Sequence, residues 1–173
     1  AITYTMGKLP YGYRALGDLA VFLFFGLLGV MGSFYLYDLS FNWCLLLPAT
    51  SIGFLSAAVL NINNMRDVES DSKHNKTTLV VLFGRAAAFK YHLFLIICAP
   101  LLSSYYLFSL ENTQTWQYIF LLAMSPLIKS CCALNRAINE NEQAGELFNE
   151  QLKNTAISTF VFAMLFALVL TPQ

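Results

Sequence analysis

Three acidic residues lie within five positions, directly after the long apolar segment Asn42–Leu60. They are Asp67, Glu69 and Asp71. Asp67 and Asp71 are four residues apart, so their carboxylates lie on one face if this stretch is helical. Like charges on one face repel each other unless a cation lies between them, and Mg²⁺ typically takes one or two carboxylates together with phosphate oxygens. The spacing therefore predicts a Mg²⁺–diphosphate site in which Asp67 and Asp71 bind the metal.

The alternative is a solvated polar segment whose acids balance nearby basic residues. What favours a site is the polar cluster before Asp67, which comprises Asn61, Asn63, Asn64 and Arg66. A polar cluster at the end of a membrane helix is costly if it faces lipid. It should therefore face a protein interior or a wet cavity, with Asn63 and Asn64 on the same side as the two Asp residues.

The composition is that of a membrane protein. The chain is 57% hydrophobic and 12% charged, with a mean hydropathy of +0.58 and a formal net charge of zero. This composition excludes an ordinary soluble domain, and the zero net charge predicts no nucleic-acid partner. A membrane-spanning helix needs about 20 mostly apolar residues, and we expect five of them: Leu16–Tyr37, Trp43–Asn61, Ala86–Leu110, Trp116–Leu134 and Ala156–Leu170.

Basic residues alternate between the connections of these five segments. All Lys and Arg residues fall before the first segment, between the second and third, or around the connection between the fourth and fifth, including helix ends. The other connections carry Asp38 and Glu111 but no basic residue. By the positive-inside rule, the Asp-rich loop should be cytoplasmic in a multi-pass protein of the cell (inner) membrane.

A second polar cluster lies near the start of the chain, where Gly7, Pro10 and Gly12 predict a tight connection. Lys8 and Arg14 can bind phosphate there, the first as a point charge and the second as a planar fork. Asp18 enters an otherwise apolar segment and needs a partner. Asp18 either belongs to the diphosphate site or has only a structural role, in which it caps the helix and forms an ion pair with Arg14.

Other residue types are less informative. The aromatic residues Phe22, Phe24 and Phe25 indicate either packing against lipid and neighbouring helices or the wall of a prenyl-chain tunnel. His74 and His92 lack a second ligand at metal spacing, and we expect both at the surface.

Four motifs resemble those of the UbiA-type intramembrane prenyltransferases, and most of all the members that act on 1,4-dihydroxy-2-naphthoate in menaquinone synthesis. The motifs are Tyr4-Thr-x-Gly-x-x-Pro-Tyr-Gly-Tyr-x-x-Leu-Gly-Asp18, Val21-Phe-x-Phe-Phe-Gly26, Asn61-x-Asn-Asn-x-Arg-Asp67-x-x-x-Asp71 and Lys76-x-Thr-Leu79. The resemblance covers nearly the whole chain and is most specific over residues 1–92.

The resemblance implies an all-α, polytopic membrane bundle of about nine helices around a central cavity, with two Asp-rich motifs on cytosolic loops. Asp67 and Asp71 match the second motif. It implies a reaction of polyprenyl diphosphate with 1,4-dihydroxy-2-naphthoate that uses Mg²⁺ and releases CO₂ and diphosphate. The implied catalytic residues are Asp67, Asp71 and Lys8, and the implied substrate-binding residues are Tyr4, Arg14, Asp18, Asn63, Asn64, Arg66 and Lys76.

Residues before Asp67 contain no candidate for the first Asp-rich motif. We therefore expect the chain to be the C-terminal part of a longer enzyme, one membrane domain over residues 1–173, with the N-terminal half as its partner. The resemblance also has one departure, since Leu82 lies where the family usually has a basic residue, two positions before the glycine that matches Gly84. A phosphate contact is then lost or passes to Arg85.

Three other interpretations stay open. One is an enzyme of the same superfamily with another aromatic acceptor, such as 4-hydroxybenzoate or haem. Another is a membrane fragment that is inactive without its N-terminal half. The third is a transporter or channel in which the acids form an ion relay; it predicts acids deep in several segments, whereas only Asp18 lies inside one, near its end.

The charge pattern predicts that position 72 and position 173 lie on opposite sides of the membrane. In a background without the native cysteines, Ser72→Cys and Gln173→Cys can be labelled on intact cells with a membrane-impermeant thiol reagent. We expect strong labelling of the residue-173 variant and weak labelling of the residue-72 variant. Equal labelling, with cell lysis as the control for reactivity, contradicts five crossings.

Overall fold

The chain forms a bundle of long helices. A computed structural model describes residues 15–111, 113–139 and 145–170. Within these residues, five helical segments are long and apolar enough to cross a membrane, which confirms the predicted all-α class and number of spans. The helices are α1 (Gly17–Asp38), α2 (Leu46–Lys73), α3 (Leu79–Phe108), α4 (Met124–Asn139) and α5 (Gly145–Val169). Short 3₁₀ segments, Trp43–Leu45 and Thr115–Ala123, lead into α2 and α4.

The acidic stretch was placed in the loop between the second and third membrane segments, but it is helical, as the shared face predicted for Asp67 and Asp71 requires. Helix α2 continues through Asp67 and Asp71 to Lys73, and only residues 74–78 connect it to α3. At 1.5 Å per residue, 28 residues span about 42 Å, against a hydrocarbon thickness of about 30 Å. The polar end of α2 therefore projects beyond the apolar layer without leaving the helix. It ends where Asn75 turns the chain with a positive φ of 56°.

Two other helices also begin earlier than predicted. Helix α3 begins at Leu79 rather than at Ala86, and α5 begins at Gly145 rather than at Ala156. In both helices the additional N-terminal turns are too polar, or too interrupted by glycine, to be recognised from hydropathy as parts of membrane segments. Gly84 has non-helical angles, φ 80° and ψ 165°, which kink α3 after its first turns. These added turns bring α2, α3 and α5 together at one end of the bundle.

Helices α1 and α2 cross at two glycines. The middle of α1, Phe22–Gly32, is a π-helix. A Cβ atom added to Gly26 would lie 2.6 Å from the Cα of Gly53 and 2.7 Å from the carbonyl oxygen of Ala49. Phe22 packs over Gly53 in turn. Small residues let membrane helices approach closely enough for backbone contact.

Polar bonds join α2 and α3 inside the bundle. The Ser51 hydroxyl donates to the Ala99 carbonyl at 2.7 Å, and the Asn61 amide donates to the Ala88 carbonyl at 2.9 Å. His92 lies one turn after Ala88 and is fully buried, so the expected surface position of this histidine is wrong, whereas His74 is exposed. Interhelical hydrogen bonds of this kind fix the rotation of α2, and with it the direction of its acidic end.

The helix crossing predicts different effects for two glycine substitutions in α1. Gly26→Ala should destabilise the folded protein by about 1–3 kcal/mol, because the added methyl meets backbone atoms that cannot move independently. Gly32→Ala is the matched control, since its nearest neighbour, 3.3 Å away, is the flexible tip of Leu28. Thermal unfolding in detergent measures the difference. Equal melting temperatures for the two variants contradict the close crossing.

Candidate functional site

Arg66 and Asp67 form a fixed ion pair at the polar end of α2. The guanidinium donates to both carboxylate oxygens, at 2.7 and 2.8 Å. It also donates to the side-chain oxygen of Asn63 at 2.9 Å and to that of Asn149, on α5, at 2.7 Å. The amide of Asn63 donates to Asp67 at 3.3 Å. A fork of this kind fixes the direction of both charges.

Lys76 and Asp71 form a second ion pair one turn further on. The ammonium donates to the two oxygens of Asp71 at 3.0 and 3.1 Å. The backbone N–H of Lys76 also donates to the Asp71 carbonyl, at 2.9 Å. The connection after α2 therefore folds back on the helix and brings Lys76 beside its last acidic residue. Each predicted metal ligand is thus paired with a predicted diphosphate-binding cation.

Arg85 belongs to a structural contact beside these pairs. Its guanidinium binds Glu69 at 2.9 Å and the Met65 carbonyl at 2.9 Å. It also lies 5.4 Å from the ring centroid of Phe148, which is buried on α5. Arg85, which itself lies on α3, is thus held by contacts with α2 and α5, and the side chain of Leu82, where a basic residue was expected, is exposed. These contacts fix the end of α2 between α3 and α5.

An apolar cavity of about 580 Å³ opens beside the first ion pair, between α1, α2 and α5. Its walls are Val21, Phe25, Ser56, Val59, Leu60, Asn63, Leu152, Ala156 and Thr159. Asn63 lines this cavity and also contacts Arg66 and Asp67. Charged groups and an apolar volume therefore meet at one side chain. The volume of the cavity is within the usual range for small-molecule sites, roughly 300–1,000 Å³.

Asn64 faces a different place from Asn63. It is buried and lines a much smaller cavity with Asp18 and Lys76, at the start of α1. The expectation that Asn63 and Asn64 share one side with both acids therefore holds only in part. The structure brings seven predicted site residues to one end of the bundle: Asp18, Asn63, Asn64, Arg66, Asp67, Asp71 and Lys76. Tyr4, Lys8 and Arg14 lie outside the described residues.

Two residues of this region were missed by sequence reasoning. Asn149 binds Arg66 from α5, and Thr159 lines the apolar cavity with a buried hydroxyl oxygen that has no hydrogen-bond partner within the described ranges. Asn149 lies in a segment that was not expected to be helical. Thr159 carried a weak signal, as a polar residue inside an apolar segment.

The donors at the end of α2 suit a hard divalent cation only in part. Asp67 and Asp71 offer carboxylate oxygens one helical turn apart. Within the part of the chain that the structure describes, no group of three or more His, Cys, Asp or Glu residues could hold a metal. Mg²⁺ is commonly held by one or two carboxylates while phosphate oxygens and water complete its shell. These residues therefore fit a shared metal–diphosphate site and do not form a complete metal site alone.

Comparisons with known proteins found a matching family and several similar sequences. The profile described as the UbiA prenyltransferase family matches residues 1–148. A 1,4-dihydroxy-2-naphthoate octaprenyltransferase from Escherichia coli is 49% identical over 130 residues, covering 75% of this chain and 42% of that protein. The protein of the same name from Mycobacterium leprae is 32% identical over 168 residues, covering 97% of this chain and 54% of that protein.

A more distant relative is the UbiA prenyltransferase domain-containing protein 1 homolog of Drosophila melanogaster. It is 30% identical over 160 residues, covering 92% of this chain and 42% of that protein. The chain thus spans about half the length of the curated relatives it matches. No solved structure matches it significantly.

Proposed function

Because the chain belongs to the UbiA prenyltransferase family, we propose that the full-length protein is a 1,4-dihydroxy-2-naphthoate polyprenyltransferase. It joins a polyprenyl group to the aromatic ring and releases diphosphate and CO₂, which gives demethylmenaquinol for menaquinone synthesis. The names of relatives at up to 49% identity support this acceptor over 4-hydroxybenzoate or haem. The proposal concerns a longer protein, in which the part beyond this chain contributes the other acidic motif.

The observation that carries the proposal is the junction of charge and apolar volume at Asn63. A prenyl diphosphate is an amphiphile with a highly charged head and a hydrocarbon tail. The end of α2 offers cations and carboxylates for the head, and the adjoining cavity, with Phe25 in its wall, offers an apolar surface for the tail. A transporter relay does not require this junction of a charged head site with an apolar cavity.

UbiA prenyltransferases are in general metal-dependent, and we propose Mg²⁺ as the ion. Asp67 and Asp71 would hold it together with the diphosphate. When bound, the ion offsets negative charge on the leaving diphosphate.

The basic residues of this chain bind the diphosphate directly in this proposal. Arg66 presents a planar fork and Lys76 a mobile point charge, and Lys8 and Arg14 add charge from the segment before α1. Asn63 and Asn64 orient these groups, and Tyr4 and Asp18 complete the substrate-binding set. Neutralising the head lets the allylic C–O bond break with both electrons leaving on the diphosphate.

The aromatic acceptor then supplies the electrons for the new C–C bond. The carbon of 1,4-dihydroxy-2-naphthoate that carries the carboxylate bonds to the allylic carbon, and loss of CO₂ returns the electron pair to the ring. Apolar walls exclude water, which would otherwise capture the allylic cation. The faces of nearby aromatic rings stabilise that cation without reacting with it.

The membrane placement follows from the same reasoning. The chain is a multi-pass membrane protein. The structure supports a common side for the basic residues, since Arg66, Lys76 and Arg85 all lie at one end of the bundle. We propose that this end faces the cytoplasm across the cell inner membrane, where water-soluble diphosphate can leave.

The metal assignment predicts loss of turnover when either carboxylate is neutralised in the full-length enzyme. Asp67→Asn and Asp71→Asn should each lower kcat by about 100-fold or more, because a hard cation loses a charged ligand. Glu69→Gln is the matched control, since it removes the same charge from the same helix end and faces Arg85 instead. Prenyl transfer at limiting Mg²⁺ measures the effect. Near-normal activity of both Asp variants refutes the assignment.

The diphosphate assignment predicts a selective effect of the basic residues. Lys76→Gln and Lys8→Gln should each reduce kcat/KM for the prenyl diphosphate by roughly one to two decades, the value of one charge-assisted contact. The KM for the aromatic acceptor should change far less. Lys73→Gln, at an exposed position three residues before Lys76, is the control. Equal effects on both substrates would assign Lys76 to folding.

A further inference from the structure

A small polar cavity lies between the start of α1, the end of α2 and the connection that follows α2. Its volume is about 10 Å³, and its walls are Ala15, Gly17, Asp18, Leu60, Asn64, Lys76, Thr77 and Thr78. A hydrogen bond from the Ala15 N–H to the Thr77 carbonyl, 2.8 Å long, holds the two segments together. The cavity has room for about one water molecule.

Asp18 projects a carboxylate into this enclosed space. The residue is only 5% exposed, and its Oδ1 atom is buried without a hydrogen-bond partner among the described residues. Buried carboxylate oxygens are costly unless they are paired, and buried polar atoms nearly always have a partner. Asp18 is therefore placed to accept a hydrogen bond from a donor that, in this structure, is bound to another residue.

Lys76 is that donor by position and by chemistry. It lines the same cavity as Asp18, but its ammonium is bound to both oxygens of Asp71. Asp71 is also a proposed metal ligand, so a divalent cation would compete with the ammonium for the two Asp71 oxygens. The like charge of the cation repels the ammonium, which favours movement of Lys76 away from Asp71. Its flexible four-carbon stem allows this movement.

We propose that Asp18 is a positioning residue that receives the ammonium of Lys76 when metal and prenyl diphosphate occupy Asp71. This inference rests on the proposed function, because it requires a metal–diphosphate ligand at the end of α2. With three N–H donors, the ammonium can bind Asp18 through one and the diphosphate through another.

The exchange has a thermodynamic consequence. With Asp18 present, metal binding replaces one ion pair of Lys76 with another. Without the Asp18 charge, metal binding still breaks the Lys76–Asp71 pair. The ammonium of Lys76 then gains only weaker contacts in exchange. Removing Asp18 should therefore weaken metal–diphosphate binding only while Lys76 is present.

The experiment measures binding rather than turnover. The probe is Mg²⁺ with farnesyl thiolodiphosphate, a prenyl diphosphate with a slowly ionising C–S bond, and its Kd is determined by isothermal titration calorimetry. The protein is the full-length enzyme in lipid nanodiscs. The variants are Asp18→Asn, Lys76→Gln and the double variant, with Glu69→Gln as the control for loss of an acid at the same helix end. Asp18→Ser serves as a second charge-removing variant if Asp18→Asn does not fold.

Asp18→Asn should raise the Kd roughly tenfold or more in the wild-type background, as expected for one charge-assisted contact. In the Lys76→Gln background it should change the Kd by less than about twofold, since additive effects would indicate independent sites. Glu69→Gln should leave the Kd unchanged.

A permanent Asp18–Arg14 ion pair would give a different result. Asp18→Asn would then lower the melting temperature equally in both backgrounds and leave the Kd unchanged, which overturns the inference. An equal rise of Kd with and without Lys76 also overturns it, as does failure of both Asp18 variants to fold. If wild-type protein does not bind the probe at all, the proposed function fails as well, whereas binding by wild type and Asp18→Asn alike refutes only the role of Asp18.

Discussion

Charge neutralisation at the end of α2 is the constraint on which the rest of this structure depends. Two carboxylates lie one helical turn apart beside an apolar cavity, where uncompensated charge is costly. Arg66 neutralises Asp67 and Lys76 neutralises Asp71, both at hydrogen-bond distance. Each carboxylate of this pair therefore has a cationic partner in the described structure. Under the proposed function, ligand binding would exchange the partners of these charges rather than bury new unpaired charge.

The fold fixes the backbone of the helix that carries these charges. Arg85 holds the end of α2 against α3 and α5, and Asn61 and Ser51 hold its buried length against α3. The close crossing at Gly26 fixes α1 on the other side. In contrast, Lys76 lies on the five-residue connection between α2 and α3. Its side chain shares a cavity with a second acceptor, Asp18. Rigid helices thus position a charge network that can rearrange.

The sequence was sufficient for the fold class, for the number of membrane helices among the described residues and for the placement of Asp67 and Asp71 one turn apart on a helix. Hydropathy identifies apolar segments, and the four-residue spacing of Asp67 and Asp71 is a local property. Helix ends were less predictable, because polar turns such as Gly145–Lys153 become helical through tertiary contacts, here Arg66 with Asn149 and Arg85 with Phe148. His92 was misplaced for a similar reason, since its burial depends on which face α3 turns toward α2. The roles of all the predicted site residues remain predictions, and Tyr4, Lys8 and Arg14 also lie outside the described residues.

The most direct test of the central claim is an experimental structure of the full-length enzyme with Mg²⁺ and farnesyl thiolodiphosphate. We expect the diphosphate and metal at Asp67 and Asp71, with Arg66 and Lys76 turned from these carboxylates toward the phosphate oxygens. The prenyl chain should lie in the cavity lined by Phe25 and Thr159. A diphosphate bound elsewhere, with the Arg66–Asp67 and Lys76–Asp71 pairs intact, would contradict the account.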